Sequence, residues 1–178
     1  MKHVLVVLAF VMLVVPAFAV VVGQGDKIPH SLETLDQNET VQSFTSLKGE
    51  RGAVLVFVRS ADWCPYCQVQ LLDLRGIGET IEDHGYNLVA ISYDAPEKLK
   101  AFSSKYNFPF AMLSDRQSEI IKAFGILNTE MAEDTPYYGI PYPRVYIVSA
   151  EGVVQHVLSE EGYKKRPSPE DILELVKR

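Results

Sequence analysis

Six consecutive apolar residues, Ala53-Val54-Leu55-Val56-Phe57-Val58, stand in the middle of the chain. A strand with one wet face alternates polar and apolar side chains, so a short run without alternation reads as a strand buried on both faces of a helix-covered sheet. This run is predicted to be the central strand. Beyond it the period changes: Cys67, Leu71, Leu74 and Ile81 recur at helical spacing, so a helix opens close to Cys64 and runs toward His84-Gly85, weakened in its middle by Gly76 and Gly78. The junction of strand and helix holds both cysteines of the chain, in Trp63-Cys64-Pro65-Tyr66-Cys67.

The flanking sequence continues the alternation. Residues 87–92 read as the next buried strand, and Asp94-Ala95-Pro96-Glu97 as N-cap, first-turn proline and capping-box glutamate of a helix carrying Leu99, Phe102 and Tyr106. A short strand is expected within 108–113. Ser114 with Gln117 is expected to cap a helix that turns Ile120, Ile121 and Phe124 inward and stops at Gly125. Residues 145–148 and 153–158 flank Ser149-Ala150-Glu151-Gly152 as a hairpin, and Ser168-Pro169-Glu170-Asp171 opens a last helix. Strand and helix in alternation imply an α/β sandwich with right-handed parallel crossovers. Residues 127–142, with Pro136, Gly139, Pro141 and tyrosines 137, 138 and 142, read as a loop long enough to be functional. Residues 20–34, with Gly23, Gly25 and Pro29, read as a tether, which leaves residues 35–178 as the domain.

A chain of 178 residues, 47% hydrophobic, suffices for one such domain. Its net charge of −6, with cationic residues only in short clusters such as Lys164-Lys165-Arg166, excludes a basic nucleic-acid surface. The first residues are not part of the fold. Lys2 and His3, an apolar run over 4–15, Pro16 and then Ala17-Phe18-Ala19 have the layout of a secretory signal peptide spanning residues 1–19, cut after Ala19. The rival reading is an uncleaved anchor reaching Val22, which would tether the domain to a membrane. Both make the domain exported, periplasmic or otherwise extracytoplasmic, where two cysteines can persist as a disulfide.

A disulfide across so short a loop constrains the unfolded chain very little, so the pair reads as a tool rather than a staple. At a helix start the free backbone N–H groups and the dipole favour a thiolate. An ordinary thiol of pKa ~8.5 is about 3% ionised at pH 7, and one of pKa ~7 about half. Cys64 is assigned as the attacking thiol and Cys67 as the resolver, closing the Cys64–Cys67 disulfide, with Pro65 and Tyr66 tuning the pair and Trp63 read equally as a wall of the site or as an aromatic packing over the helix start. The first sulfur is expected to be exposed and the second partly covered.

Trp63-Cys64-Pro65-Tyr66-Cys67 after an apolar strand resembles the thioredoxin-like superfamily. Arg59, Val89-Ala90-Ile91-Ser92, Leu113-Ser114-Asp115, Ala123-Phe124-Gly125-Ile126 and Gly139-Ile140-Pro141-Tyr142-Pro143 resemble its peroxiredoxin-like branch (alkyl hydroperoxide reductase/thiol-specific antioxidant, redoxin). The resemblance implies a thioredoxin-like fold, a central mixed β-sheet flanked by helices, with no cofactor and no metal. It also implies a cis-proline facing the pair, at Pro143 with Pro141 as runner-up, and positive charge from Arg59 and Arg144 for a thiolate or peroxide. As single arginines these two read equally as salt-bridged surface residues. One position departs from the branch: typical members carry Thr or Ser three residues before the peroxide-reactive cysteine, where Ala61 precedes Cys64 here, with Ser60 one residue off. That departure ranks an exported thiol–disulfide oxidoreductase, acting on thiol or disulfide protein substrates, ahead of a thiol peroxidase acting on peroxide with the same pair. Neither reading identifies the electron donor. A copper-binding module on the same fold ranks lower, since His30, His84 and His156 lie at no obvious ligand position, and a redox-inert domain with a stapling disulfide is the remaining reading.

Overall fold

The computed structural model describes residues 20–178, so the expected leader over 1–19 lies outside the described residues. In chain order the elements are β1 (Thr34–Asp36), β2 (Val41–Gln42), α1 (Phe44–Leu47), β3 (Gly52–Phe57), α2 (Pro65–Arg75), α3 (Gly78–Asp83), β4 (Tyr86–Ser92), α4 (Pro96–Tyr106), β5 (Ala111–Ser114), α5 (Glu119–Ala123), β6 (Arg144–Ser149), β7 (Val154–Leu158) and α6 (Pro169–Val176). The strands form one mixed sheet in the order β2-β1-β5-β4-β3-β6-β7. Strands β3, β4 and β5 are parallel, while β6 runs antiparallel to β3 and pairs with β7 as the expected hairpin. This is the α/β sandwich that the alternating runs imply, in the thioredoxin-like arrangement that the resemblance implies. Among the described residues no helix is long and apolar enough to cross a membrane.

Strand β3 shows why its sequence lacks alternation. Val54, Val56 and Val58 pack with Leu71, Leu74, Ile81, Leu99 and Ile172 from the helices of one layer. Ala53, Leu55 and Phe57 pack with Phe44, Ile120, Ile121 and Phe124 of the other. Both faces are dry, so each position contributes apolar burial at roughly 25 cal/mol per Å² and none can be polar without a partner. The C-terminal end of this rigid strand is where the cysteine segment begins.

The helix after Cys64 breaks at Gly76-Ile77 into α2 and α3, at the weak middle that Gly76 and Gly78 mark in the sequence. Three local expectations differ from the structure. Asp94 does not cap α4: Ala95 is the N-cap with no side-chain hydrogen bond, Pro96 sits in the first turn, and the Asp94 carboxylate turns into the core. Ser114 lies in β5, where its hydroxyl donates to the Asp94 carbonyl, and α5 is instead served by Asp115, whose carboxylate accepts from the Ile121 N–H at 2.8 Å. Residues 20–34, read as a tether, lie along the domain: Val22 and Leu32 are buried, and Val22 N and Gly25 N donate to Phe124 O and Val154 O. Strand β7 and the end of α5 offer unpaired carbonyls there, and an extended segment satisfies them.

The glycine that opens α3 has a packing cause. A Cβ on Gly78 would stand 1.8 Å from Cζ of Phe110, a ring that is itself buried against Phe108. Alanine there gains up to about 1 kcal/mol of helix propensity and loses about 1–3 kcal/mol to overpacking, so the clash wins. We expect Gly78→Ala to lower stability by about 1–2 kcal/mol in urea melts. An unchanged midpoint would mean that the Phe110 ring moves aside without cost.

Candidate active site

Cys64 is the N-cap of α2, extended at φ −93° and ψ 103°, and Pro65 follows in the first turn, where its missing N–H would have had no intrahelical partner. Cys67 lies one turn on, its Cα 5.2 Å from that of Cys64, and the two form a disulfide. The Cys67 N–H also donates to Cys64 Sγ at 3.3 Å. Both residues are buried, Cys64 at 1% exposure and Cys67 at 0%. The expected exposure of the first sulfur does not hold, because aromatic rings and the segment around residues 159–167 close over the pair.

The connection from β3 to Cys64 is held from below by Asp94. Its carboxylate accepts from Ser60 Oγ (2.8 Å), Ala61 N (2.7 Å) and Ser92 Oγ (2.9 Å). Ser60 Oγ in turn accepts from Asp62 N and Trp63 N. Gln68, one helical turn beyond Cys64, donates back to Ala61 O and Asp62 O. Burial raises the Asp94 carboxyl above its ordinary value, against the hydrogen bonds that lower it. The sequence placed Asp94 at a helix cap; the signal for its other use is a Ser-x-Asp leaving a strand with no wet face.

A cavity of about 630 Å³ opens on Cys64 and is lined by Arg59, Trp63, Tyr142, Pro143 and Arg144 among others. Cys64, Trp63, Pro65, Tyr66, Pro143, Arg144 and Arg59 therefore meet in one place, whereas Cys67 lies behind Cys64. The Arg59 guanidinium stacks between the rings of Trp63 (5.0 Å) and Tyr163 (4.8 Å). Trp63 donates from Nε1 to Tyr93 Oη at 2.8 Å and packs edge-on against Tyr137, so it does wall the site. Arg59, Arg144 and Arg166 each have a buried Nε with no hydrogen-bond partner. The ion pairs among the described residues are Lys98–Asp62 and Arg178–Glu174, so the salt-bridged reading of Arg59 and Arg144 does not hold.

Two further points correct the sequence. Arg166, grouped there with a solvated cationic edge, reaches inward and places Nη2 3.6 Å from Cys67 Sγ. Burial and the neighbouring Arg59 pull its guanidinium down to about 10, still cationic at neutral pH. Pro143 adjoins Cys64, but no cis peptide occurs among the described residues, so it and Pro141 are trans. Pairing of Leu127 with Pro141, and a 2.7 Å bond from Tyr142 N to Ile126 O, hold that stretch extended into β6 without a tight turn. Among the described residues no three His, Cys, Asp or Glu side chains converge as metal ligands. His30 accepts from Leu32 N and His84 bonds Thr80 O, so the copper reading has no histidine at the pair.

Residues 24–157 match the AhpC/TSA family. The Escherichia coli (strain K12) peroxiredoxin Bcp is 30% identical over 125 residues, covering 70% of this chain and 78% of its own. The chloroplastic peroxiredoxin Q of Populus jackii is 31% identical over 134 residues, covering 75% and 59%. Among solved structures, a peroxiredoxin-like protein from Aquifex aeolicus superposes with TM-score 0.76 at 21% identity over 90% of this chain and 89% of that one. Peroxidoxin BcpB from Mycobacterium tuberculosis does so with TM-score 0.72 at 21% identity, over 87% and 96%. These last two share the fold.

The Asp94 arrangement is testable without assuming any activity. A carboxyl raised by burial is one whose protonated form the fold favours, so its contribution to stability falls as pH rises through the raised value. Asp94→Asn removes that titration, while Asp115, also raised by burial, remains in both proteins and cancels. Stability of the variant minus that of wild type is expected to grow in urea melts as pH rises above the ordinary aspartate value of about 4. At the same time asparagine cannot accept from Ala61 N and both hydroxyls, so alkylation of reduced Cys64 should change in rate. A flat difference with unaltered alkylation would remove Asp94 from the account of the site.

Proposed function

The chain belongs to the AhpC/TSA family, and from that premise we propose that it is a thiol peroxidase in which the Cys64–Cys67 pair passes two electrons from a thiol donor to a peroxide. The observation that carries this is the cavity that ends on Cys64 with two guanidinium groups, Arg59 and Arg144, lacking acidic partners. The Cys64 thiolate attacks the terminal peroxide oxygen, the O–O bond breaks, and the alkoxide or hydroxide takes a proton as it leaves. Cys64 becomes a sulfenic acid. Cys67 attacks Cys64 Sγ, water departs, and the disulfide closes. Charge developing on the leaving oxygen is met by the guanidinium N–H groups, which are oriented in advance by aromatic stacking and burial.

This order reverses the ranking reached from sequence, which put disulfide exchange first because Ala61 stands where a hydroxyl is usual. The hydroxyl one residue away is no substitute, since Ser60 Oγ is already committed to Asp94 and two backbone N–H groups. Donors to the peroxide come from the arginines instead, and the similarity to peroxiredoxins Bcp and Q supports peroxide as the oxidant. One observation favours the opposite assignment of the sulfurs: Arg166 places a guanidinium nitrogen 3.6 Å from Cys67 Sγ. Counted back from Cys67, the third residue is Cys64 itself. The leader pattern from Lys2 to Ala19 supports work outside the cytoplasm, and protein recovered from its cells is expected to begin at Val20 on N-terminal sequencing.

The experiment is peroxide consumption by the reduced protein and its single-cysteine variants. Wild type should turn over with a dithiol donor. Cys67→Ser should consume one equivalent and hold a dimedone-reactive sulfenic acid, and Cys64→Ser should consume none. The converse pattern assigns peroxide attack to Cys67. Faster exchange with a scrambled disulfide protein than with peroxide restores the oxidoreductase reading.

A further inference from the structure

Granted that the pair cycles as proposed above, the geometry points to how it is recharged: a small carboxylate-bearing thiol enters the cavity and bonds to Cys64 Sγ, and Cys67 leaves as a thiolate onto Arg166. Access decides which sulfur is struck. Cys64 lines the cavity and Cys67 does not. At 1% exposure Cys64 sits too deep for a flat protein face laid across the rim, while a slender thiol reaches it from inside.

The leaving group decides the rate in the same direction. In thiol–disulfide exchange the sulfur with the more stabilised thiolate departs faster. Cys67 Sγ has Arg166 Nη2 at 3.6 Å, and that guanidinium has an unpartnered buried Nε and no acid paired with it. The other charged groups nearby are Arg59, which faces Arg166, and Lys164 and Asp73 in the groove beside it. One half-buried cation, Arg166, thus meets the departing sulfur with Arg59 next to it, and a thiolate there supplies the anion that the guanidinium lacks. Arg166 lies beyond residue 157, where the family match ends.

The cavity also selects the thiol. Its volume of about 630 Å³ lies in the range of small-ligand sites and is far larger than hydrogen peroxide needs. Arg59 and Arg144 present guanidinium groups that carboxylates pair with in a bidentate fork, and a neutral thiol leaves them unpaired. Glu130 and Glu160 also line the mouth, but both are exposed, where their charge is screened and an amine on the thiol can meet them. The chemistry balances with two thiols. The first, as thiolate, forms an S–S bond to Cys64 and releases the Cys67 thiolate; the second attacks the bound thiol's sulfur, releasing the Cys64 thiolate and a small-molecule disulfide.

The test omits peroxide. Oxidised full-length protein is mixed in stopped flow with glutathione, with 2-mercaptoethanol at equal thiolate concentration, and with a thioredoxin system, following the fluorescence of Trp63, the one tryptophan of the chain. Glutathione is expected to react about tenfold faster than 2-mercaptoethanol, and Arg144→Gln to bring that ratio toward one. Arg166→Gln should slow both thiols alike, by about tenfold, with Arg166→Lys between it and wild type. In a Cys64→Ser background the Arg166→Gln change should raise the titration of the Cys67 thiol. Acid-quenched digests should carry glutathione on Cys64. Equal rates for the two small thiols, an adduct on Cys67, or micromolar thioredoxin outrunning millimolar glutathione overturns the proposal. A protein that opens as described yet consumes no peroxide upholds this inference while sinking the peroxidase reading.

Discussion

The Asp94 carboxylate joins the ends of two parallel strands by accepting hydrogen bonds from Ser60, Ala61 and Ser92 at a place where no cation compensates it. A buried anion of this kind is costly, and the same burial raises its carboxyl. What it holds explains its presence. The five residues between Val58 and Cys64 have no regular structure of their own, and they would wander if Ser60 and Ala61 were not pinned. With them pinned, Asp62 and Trp63 receive the Ser60 oxygen, α2 starts at Cys64, and the cysteine pair stands at a defined point above β3.

Around the pair the charge balance runs the other way. Arg59, Arg144 and Arg166 approach a neutral disulfide with buried Nε atoms that meet no acceptor. Stacking on Trp63 and Tyr163 lets Arg59 remain there, since aromatic faces partly substitute for water around a guanidinium. Such an arrangement is least comfortable when the sulfurs are joined and most comfortable when one carries a negative charge. On the proposed reading, cations without acids stabilise the thiolate that reduction of the disulfide releases.

Rigid and adaptable parts are separated in the same way. The β3 strand is locked by apolar side chains on both faces, and the Phe57, Phe124 and Tyr146 rings interlock beneath it at centroid distances of 4.8 to 5.7 Å. The cavity wall is made of loops: residues 127–142 bring Tyr137 to Trp63, and residues 159–167 bring Tyr163 and Arg166. Tyr163 touches the Tyr66 ring and the Arg59 guanidinium, so the closing segment rests on the same residues that face the cysteines. Chemistry on the sulfurs and closure of that segment thus share contacts.

Local order was legible in the residues themselves. The unalternating run at 53–58, the hairpin around Ser149 to Gly152, the helix opened by Ser168-Pro169 and the Cys-Pro-Tyr-Cys junction are each settled within a few neighbouring residues, by side-chain periodicity, turn chemistry or capping. The errors lie where partners are distant. Asp94 reads as a cap because its true partners, Ser60 and Ala61, are 34 and 33 residues away, and Arg166 reads as solvated edge because Cys67 is 99 residues away. Pro143 is trans and follows a stretch paired with residues 126–127, a long-range contact that no motif encodes. The sequence by itself determined the fold class and the presence of a redox-capable cysteine pair. Only the tertiary structure decided how deep the pair lies and which cations face each sulfur, because burial and charge compensation are set by contacts across the sheet rather than along the chain.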